Sequence, residues 1–153
     1  MVASKATARG LVEAKRLICS AVSMIEIASS ALEVRLKDQA RKRLDLAEAE
    51  RNLKDHRNSV IAANSADPKA LGANEAAREA AIAQQTSGSI TAVDIARREL
   101  LDADTAVEIA RLRVSSANAK MDEAQGLLKV GELRTLVGIA NTAAGSAYAI
   151  PHA

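Results

Sequence analysis

Between Val93 and Gly131 the apolar residues fall into two columns, each repeating every seven positions. One column holds larger side chains: Val93, Leu100, Val107, Val114, Met121 and Leu128. The other, three residues on, holds small ones: Ala96, Ala103, Ala110, Ala117, Ala124 and Gly131. Gly138 and Gly145 continue the small column. A seven-residue repeat keeps one stripe of a helix facing a partner and imposes a left-handed supercoil on the pair. Alternating large with small residues lets two backbones approach more closely than leucine against leucine. Glycine permits a closer approach still, at about 1 kcal/mol of helix propensity relative to alanine. These fourteen residues are the expected helix-packing and oligomer interface. Nothing alternates with period two, so no strand is expected.

The first half of the chain carries the same pattern. Leu11, Ile18, Ile25, Leu32, Gln39, Leu46, Leu53 and Val60 stand seven apart. The column three residues on reads Ala14, Ala21, Ala28, Arg35, Lys42, Ala49, His56, Ala63. Gln39, Arg35 and Lys42 make a polar patch in its middle. The pattern predicts a basic N-terminal arm over 1–10 and a long first helix over 11–63. A connector over 64–89 follows, holding a short helix over 75–85. A long second helix spans 90–130, and a glycine-spaced apolar segment fills 131–153. No proline lies between Ile90 and Pro151, so the second helix has no barrier before Ala149.

The connector's punctuation is local. Asp67-Pro68 is a helix start, with Asp as cap and Pro at the first helical position. Gly72 ends that turn, and Asn74 caps the short helix. Thr86 to Ser89 breaks the chain again. Thr91 followed by Asp94 resembles a capping box opening the second long helix.

That second helix also carries Ile90, Ile95, Leu101, Ile109 and Leu112 off its seam. One apolar stripe serves a pair of helices, and further apolar faces imply further partners. The expected fold is all-α: a long antiparallel helical hairpin or coiled coil with Ala/Gly-lined heptad seams, assembling into a homo-oligomeric ring or bundle.

Composition agrees with long helices. Aromatics make up 1% of the 153 residues, a single Tyr148, while charged residues make up 26%. Net charge is +2, with both signs interspersed as on a solvated helix. Lys5, Arg9, Lys15 and Arg16 make the start locally basic. Without aromatic stacking platforms, contact with nucleic acid is expected to be at most non-specific. Cys19 is the only cysteine, so no disulfide forms within the chain. The apolar run from Leu17 to Ile25 is signal-like in length, but Glu26 follows it and the heptads pass through it. No cleavable signal is expected.

Catalytic chemistry is not expected. The only histidines are His56, in the small column, and His152, near the last residue. No Glu-x-x-His pair, phosphate-binding loop or dinucleotide turn occurs. No catalytic, cofactor-binding or metal-binding residue can be named, and no cofactor is implied. The uncharged run from Thr135 to Ile150 is shorter than the roughly 20 apolar residues of a single crossing. Membrane contact through 135–150 is expected only when several copies lie side by side.

Two stretches, "LDLAEAERNLKDHRNSV" from Leu44 and "GSITAVDIARRELLDADTAVEIARLR" from Gly88, resemble the periplasmic helices of TolC-like outer-membrane efflux ducts. Gly88, Thr91, Val93, Asp94, Leu100, Leu101, Ala103, Ala110 and Arg111 stand where that family's helical tip places similar residues. The barrel-forming strands of that family have no counterpart. The Ala-rich layout with the stretch "LVGIANTAAGSAYA" from Leu136 is similar to small internal virion (ejection) proteins of short-tailed phages. That resemblance implies storage in the virion beside other virion proteins, then channel formation through the host cell envelope. Two alternatives stay open: a cellular periplasmic component of an efflux or secretion duct, and a cytoplasmic coiled-coil scaffold.

Overall fold

The computed structural model describes residues 2–65 and 71–147, with side chains described for 9–65 and 71–141. The described residues form three helices and no strand, so the protein is all-α. Helix α1 is Val2–Ala63, α2 is Glu75–Gln85 and α3 is Ser87–Ala147. The Asp67-Pro68 helix start lies outside the described residues.

Helix α1 starts earlier than the expected arm allows. Residues 2–10 are helical and continue into the rest of α1. Their sequence explains this: Ala3, Lys5, Ala6, Ala8 and Arg9 are good helix formers, and no proline or cap interrupts them. At the other end, α3 runs through Gly131 and Gly138 without a break. One glycine in seven lowers helix propensity but removes no backbone hydrogen bond. The segment 131–153 is therefore no separate element as far as Ala147.

The connector is shorter than its residues suggest. Asn74 caps α2, its side chain accepting from the Ala77 N–H at 2.9 Å. Thr86 alone separates α2 from α3. Its N–H and its hydroxyl both donate to the Ile82 carbonyl, at 2.9 and 2.8 Å, closing α2. Its own carbonyl accepts from the Ile90 N–H at 3.0 Å, which belongs to the first turn of α3. The expected break at residues 86–89 thus shrinks to one residue, and Gly88 sits inside a helix. The Thr91 capping box does not form either, because Thr91 lies within α3 and its hydroxyl donates to the Ser87 carbonyl at 3.0 Å. Gly72 has φ of 138°, the left-handed region that glycine tolerates best.

Two compact units are present, Met1–Ala31 with Ala110–Ala153, and Leu32–Ile109. In the second unit α1 and α3 run antiparallel, since Gln39 reaches Asp104 while His56 reaches Ser89. Val60, Leu71 and Ile82 form a small core there, with Ala81 against it. Thr86, 2% exposed, is also buried, its polar atoms satisfied by the cap just described. In the first unit α1 and α3 again lie side by side and antiparallel. Leu11 approaches Gly131, while Ala21 and Met24 share a groove with Lys120 and Ala124.

Candidate interaction surface

The heptad columns mark which residues leave water. On α3, Val93, Ala96, Ala103, Val107, Ala110, Ala117 and Ala124 are buried, Val107 most of all at 1%. Leu100, Val114, Met121, Leu128 and Gly131 are half-buried. On α1, Ala14, Ala21 and Val60 are buried, and Leu11, Ile18, Ile25, Leu32, Leu46 and Leu53 are half-buried. On α3 the small column is buried at every position from Ala96 to Ala124, whereas of the large column only Val93 and Val107 are, as expected where small residues let the helices approach closely. Gly131 makes the reason concrete: a Cβ built there would stand 2.9 Å from Leu11 Cδ2. Gly138 is different. It is exposed, and a Cβ there would meet nothing within 4 Å. The surroundings of Gly145 lie outside the described side chains. Among the described side chains the packed seam therefore reaches Gly131 and the half-buried Thr135 and leaves Gly138 exposed.

The polar patch of α1 is matched across the helix pair. Gln39 Nε2 donates to Asp104 Oδ1 at 2.6 Å. Lys42 Nζ lies 2.8 Å from Glu99 Oε2 and 3.8 Å from Asp45. Arg97 reaches Glu50 at 3.1 Å, and Arg57 reaches Glu79 on α2 at 2.6 Å. His56 Nδ1 lies 2.9 Å from Ser89 Oγ, so this exposed histidine has a structural partner. The hydrogen bond to Glu99 holds the Lys42 ammonium above its ordinary pKa. The Glu13 and Glu33 carboxyls are held below theirs, first by hydrogen bonds from Arg16 and Lys37 and also by those cations' charge.

No group of three or more His, Cys, Asp and Glu side chains among the described residues is placed to hold a metal. Cys19 is free and exposed.

The surface also carries large apolar side chains. Val12, Ile27, Val34 and Leu44 on α1 are mostly exposed, as are Leu101, Leu112, Leu133, Leu136, Val137 and Ile139 on α3. Ile95 and Ile109 are about half exposed, at 52% and 48%. A monomer rarely leaves this much apolar surface in water unless something covers it. Among the described residues, one helix is long and apolar enough to cross a membrane by length and composition, and it is α1. Its stretch 17–34 carries only Glu26 and Glu33 as charged residues. In the uncharged run from Thr135 the described side chains to 141 are exposed, except the half-buried Thr135.

Sequence columns alone passed over a second set of residues. Leu17, Met24, Leu127 and Val130 each stand one residue before a column position. In the first unit they line two grooves, of about 320 and 400 Å³, that share Leu17. Ala14, Ala21, Ala124 and Gly131 lie in those grooves too. The signal that finds Leu17, Met24 and Leu127 is the position flanking the seam, where a coiled coil sets partner choice. No protein-family model matches the chain, no curated protein matches its sequence, and no solved structure matches its fold.

Proposed function

We propose that the chain is a structural, non-enzymatic protein: a coiled-coil helical hairpin that assembles with copies of itself into a ring or bundle. The observation that carries this reading is the exposed apolar surface on both long helices, from Ile27 and Leu44 on α1 to Leu112 and Leu133 on α3. The intramolecular seam already occupies the heptad columns, so this surface is left for other chains. Sedimentation equilibrium with negative-stain microscopy tests it. The expected result is a defined oligomer at micromolar protein. A stable, well-folded monomer defeats the reading.

The finer assignment is a phage virion (ejection) component that forms a channel through the host envelope. Its support is the resemblance of the Ala-rich layout and the "LVGIANTAAGSAYA" stretch, together with an apolar α1 long enough to span a bilayer. Membrane contact through 135–150 belongs to the same assignment. Dye release from liposomes by the purified oligomer tests it, with release expected from the full chain and lost on truncation after Arg134. Oligomers that leave vesicles sealed favour a wholly soluble scaffold. Portal and tail genes beside the coding sequence are expected under this reading; transporter genes instead favour a cellular duct component.

A further inference from the structure

We infer that the first unit is a built-in clasp: α1 and α3 part there while the second unit stays closed. Such an opening belongs to the single chain and does not rest on the assembly reading. The two units bury different side chains. Among the described residues of the first unit the buried ones are Ala14, Ala21, Ala110, Ala117 and Ala124, all of them alanines. The second unit buries Val60, Leu71, Ile82, Val93 and Val107 besides its alanines. Stabilisation by burial scales with apolar area, so a seam of single methyl groups holds less firmly than one of branched side chains. The larger column of the first unit does not make up the difference. Leu11, Ile18, Ile25, Val114, Met121 and Leu128 are only half-buried. Grooves of about 320 and 400 Å³ also run beside this seam, reaching Ala14, Ala21 and Ala124.

Directional contacts reinforce the contrast. In the second unit Gln39 with Asp104, Lys42 with Glu99, Glu50 with Arg97 and His56 with Ser89 tie α1 to α3. Arg57 with Glu79 ties α1 to α2 in the same unit. In the first unit the Glu13 carboxylate accepts from Arg16 of its own helix, at 2.7 and 3.1 Å. The α3 helix is also weaker there, since Gly126, Gly131 and Gly138 fall in its first-unit part and Gly88 alone in its second-unit part. Each glycine lowers helix propensity relative to alanine. Folded proteins open locally where buried contacts are fewest, while better-held units stay intact. Opening here breaks the approach of Leu11 to Gly131 and leaves Gln39 on Asp104. It uncovers α1 from Leu17 to Ala31, a run in which Glu26 is the only charged residue. The clasp thus controls access to the buried side of that apolar run.

The experiment is thiol labelling of the full-length chain under native conditions, in a Cys19→Ser background so that each variant carries one cysteine. Ala21→Cys and Ala124→Cys report on the first unit, at positions 3% and 2% exposed. Ala96→Cys and Ala103→Cys report on the second, at 8% and 6%. The two first-unit thiols should be labelled at the same rate as each other, because one opening uncovers both. That rate should exceed the second-unit rates roughly 100-fold. It should also respond less to urea below the unfolding transition, because partial opening exposes less surface than global unfolding. Amide hydrogen exchange of the wild type guards against a cysteine that loosens the seam itself, and the first unit should exchange faster. Four thiols labelled at one rate with one urea slope overturn the clasp. So does uniform amide protection across the two units of the wild type, or faster opening of the second unit than of the first. None of these outcomes bears on whether copies assemble, which sedimentation decides separately.

Discussion

Gln39 stands in the large apolar column between Leu32 and Leu46, and its amide donates to Asp104 across the helix pair at 2.6 Å. Three residues on, Lys42 replaces an alanine and meets Glu99. Together they fix the register of the two helices. A slide of one heptad would exchange Asp104 for Arg97 or Arg111, and Glu99 for Ala92 or Ala106. The amide would then face a cation, and the ammonium would face a methyl group. Alanine columns by themselves fit equally well after such a slide, so polar pairs supply the specificity that apolar packing lacks.

Breaking this pair has a defined consequence. Asp104→Ala leaves a half-buried amide without its acceptor, at about 1–3 kcal/mol. Replacing both Gln39 and Asp104 with leucine should restore or raise stability while loosening register. Urea unfolding of the single and double variants measures the first effect. Cross-linking of engineered cysteine pairs at native and slid positions measures the second. Equal cross-linking patterns in wild type and the double-leucine variant would remove the register role.

The alanine seam should reject bulk. Ala110 is 5% exposed, and Ala110→Leu overpacks a close helix contact at about 1–3 kcal/mol. Helicity should be largely retained while the thermal midpoint falls. A variant as stable as wild type would show that the seam has room.

Two glycines of one column should respond differently to alanine. At Gly131 a new Cβ would press on Leu11 Cδ2, the mobile end of a flexible side chain, so the gain in helix propensity is partly offset. Gly131→Ala should change stability by less than about 0.5 kcal/mol. Gly138 has room for a Cβ within the chain, and Gly138→Ala should stabilise the protein by up to about 1 kcal/mol. Loss of assembly in Gly138→Ala with the fold intact would place this glycine at a contact between copies.

Gly72 should not accept a side chain. Its φ is 138°, and a Cβ there would stand 2.6 Å from Ala77 Cβ and 2.9 Å from that residue's backbone carbon. Both the backbone region and the contact oppose substitution, so Gly72→Ala should cost about 1–3 kcal/mol. Loosening of the chain around Gly72 should be visible as faster proteolysis there. Wild-type stability and wild-type cleavage would contradict this.

Stability should depend on pH at both extremes. Glu13 and Glu33 have folded-state pKa values below the ordinary 4.5, so their contribution is present above that value and is lost as pH falls through the lower folded value. Lys42 has a folded-state pKa above the ordinary 10.5, so its contribution is present below that value and is lost as pH rises through the higher one. All three are solvent-accessible, so both limbs should be shallow and flattened by salt. Thermal midpoints of wild type and Lys42→Met across the alkaline range provide the check. Identical alkaline limbs would remove Lys42 from the account.

Much of the fold was legible along the chain because a helix turns local spacing into a face. Columns at Val93 to Leu128 and Ala96 to Gly131 identify the covered stripe of α3 from period alone, as do Leu11 to Val60 for α1. The cap at Asn74 was legible for the same reason, since its partner Ala77 lies within one turn. What spacing could not supply was anything between positions far apart in sequence. Whether Gln39 and Lys42 were a defect or a device depended on Asp104 and Glu99, more than fifty residues away. Thr86 to Ser89 read as a break because Gly88 and two serines disfavour helix. The structure departs from that preference: Thr86 is buried, and its N–H, hydroxyl and carbonyl find partners one turn away in α2 and α3. The glycine column showed the same division. Its period continues unchanged through Gly131 and Gly138, and only the arrangement of α1 against α3 decided that Leu11 covers the first and leaves the second exposed. Periodicity states which face of a helix can be buried; the position of the other helix decides how far along that face burial extends.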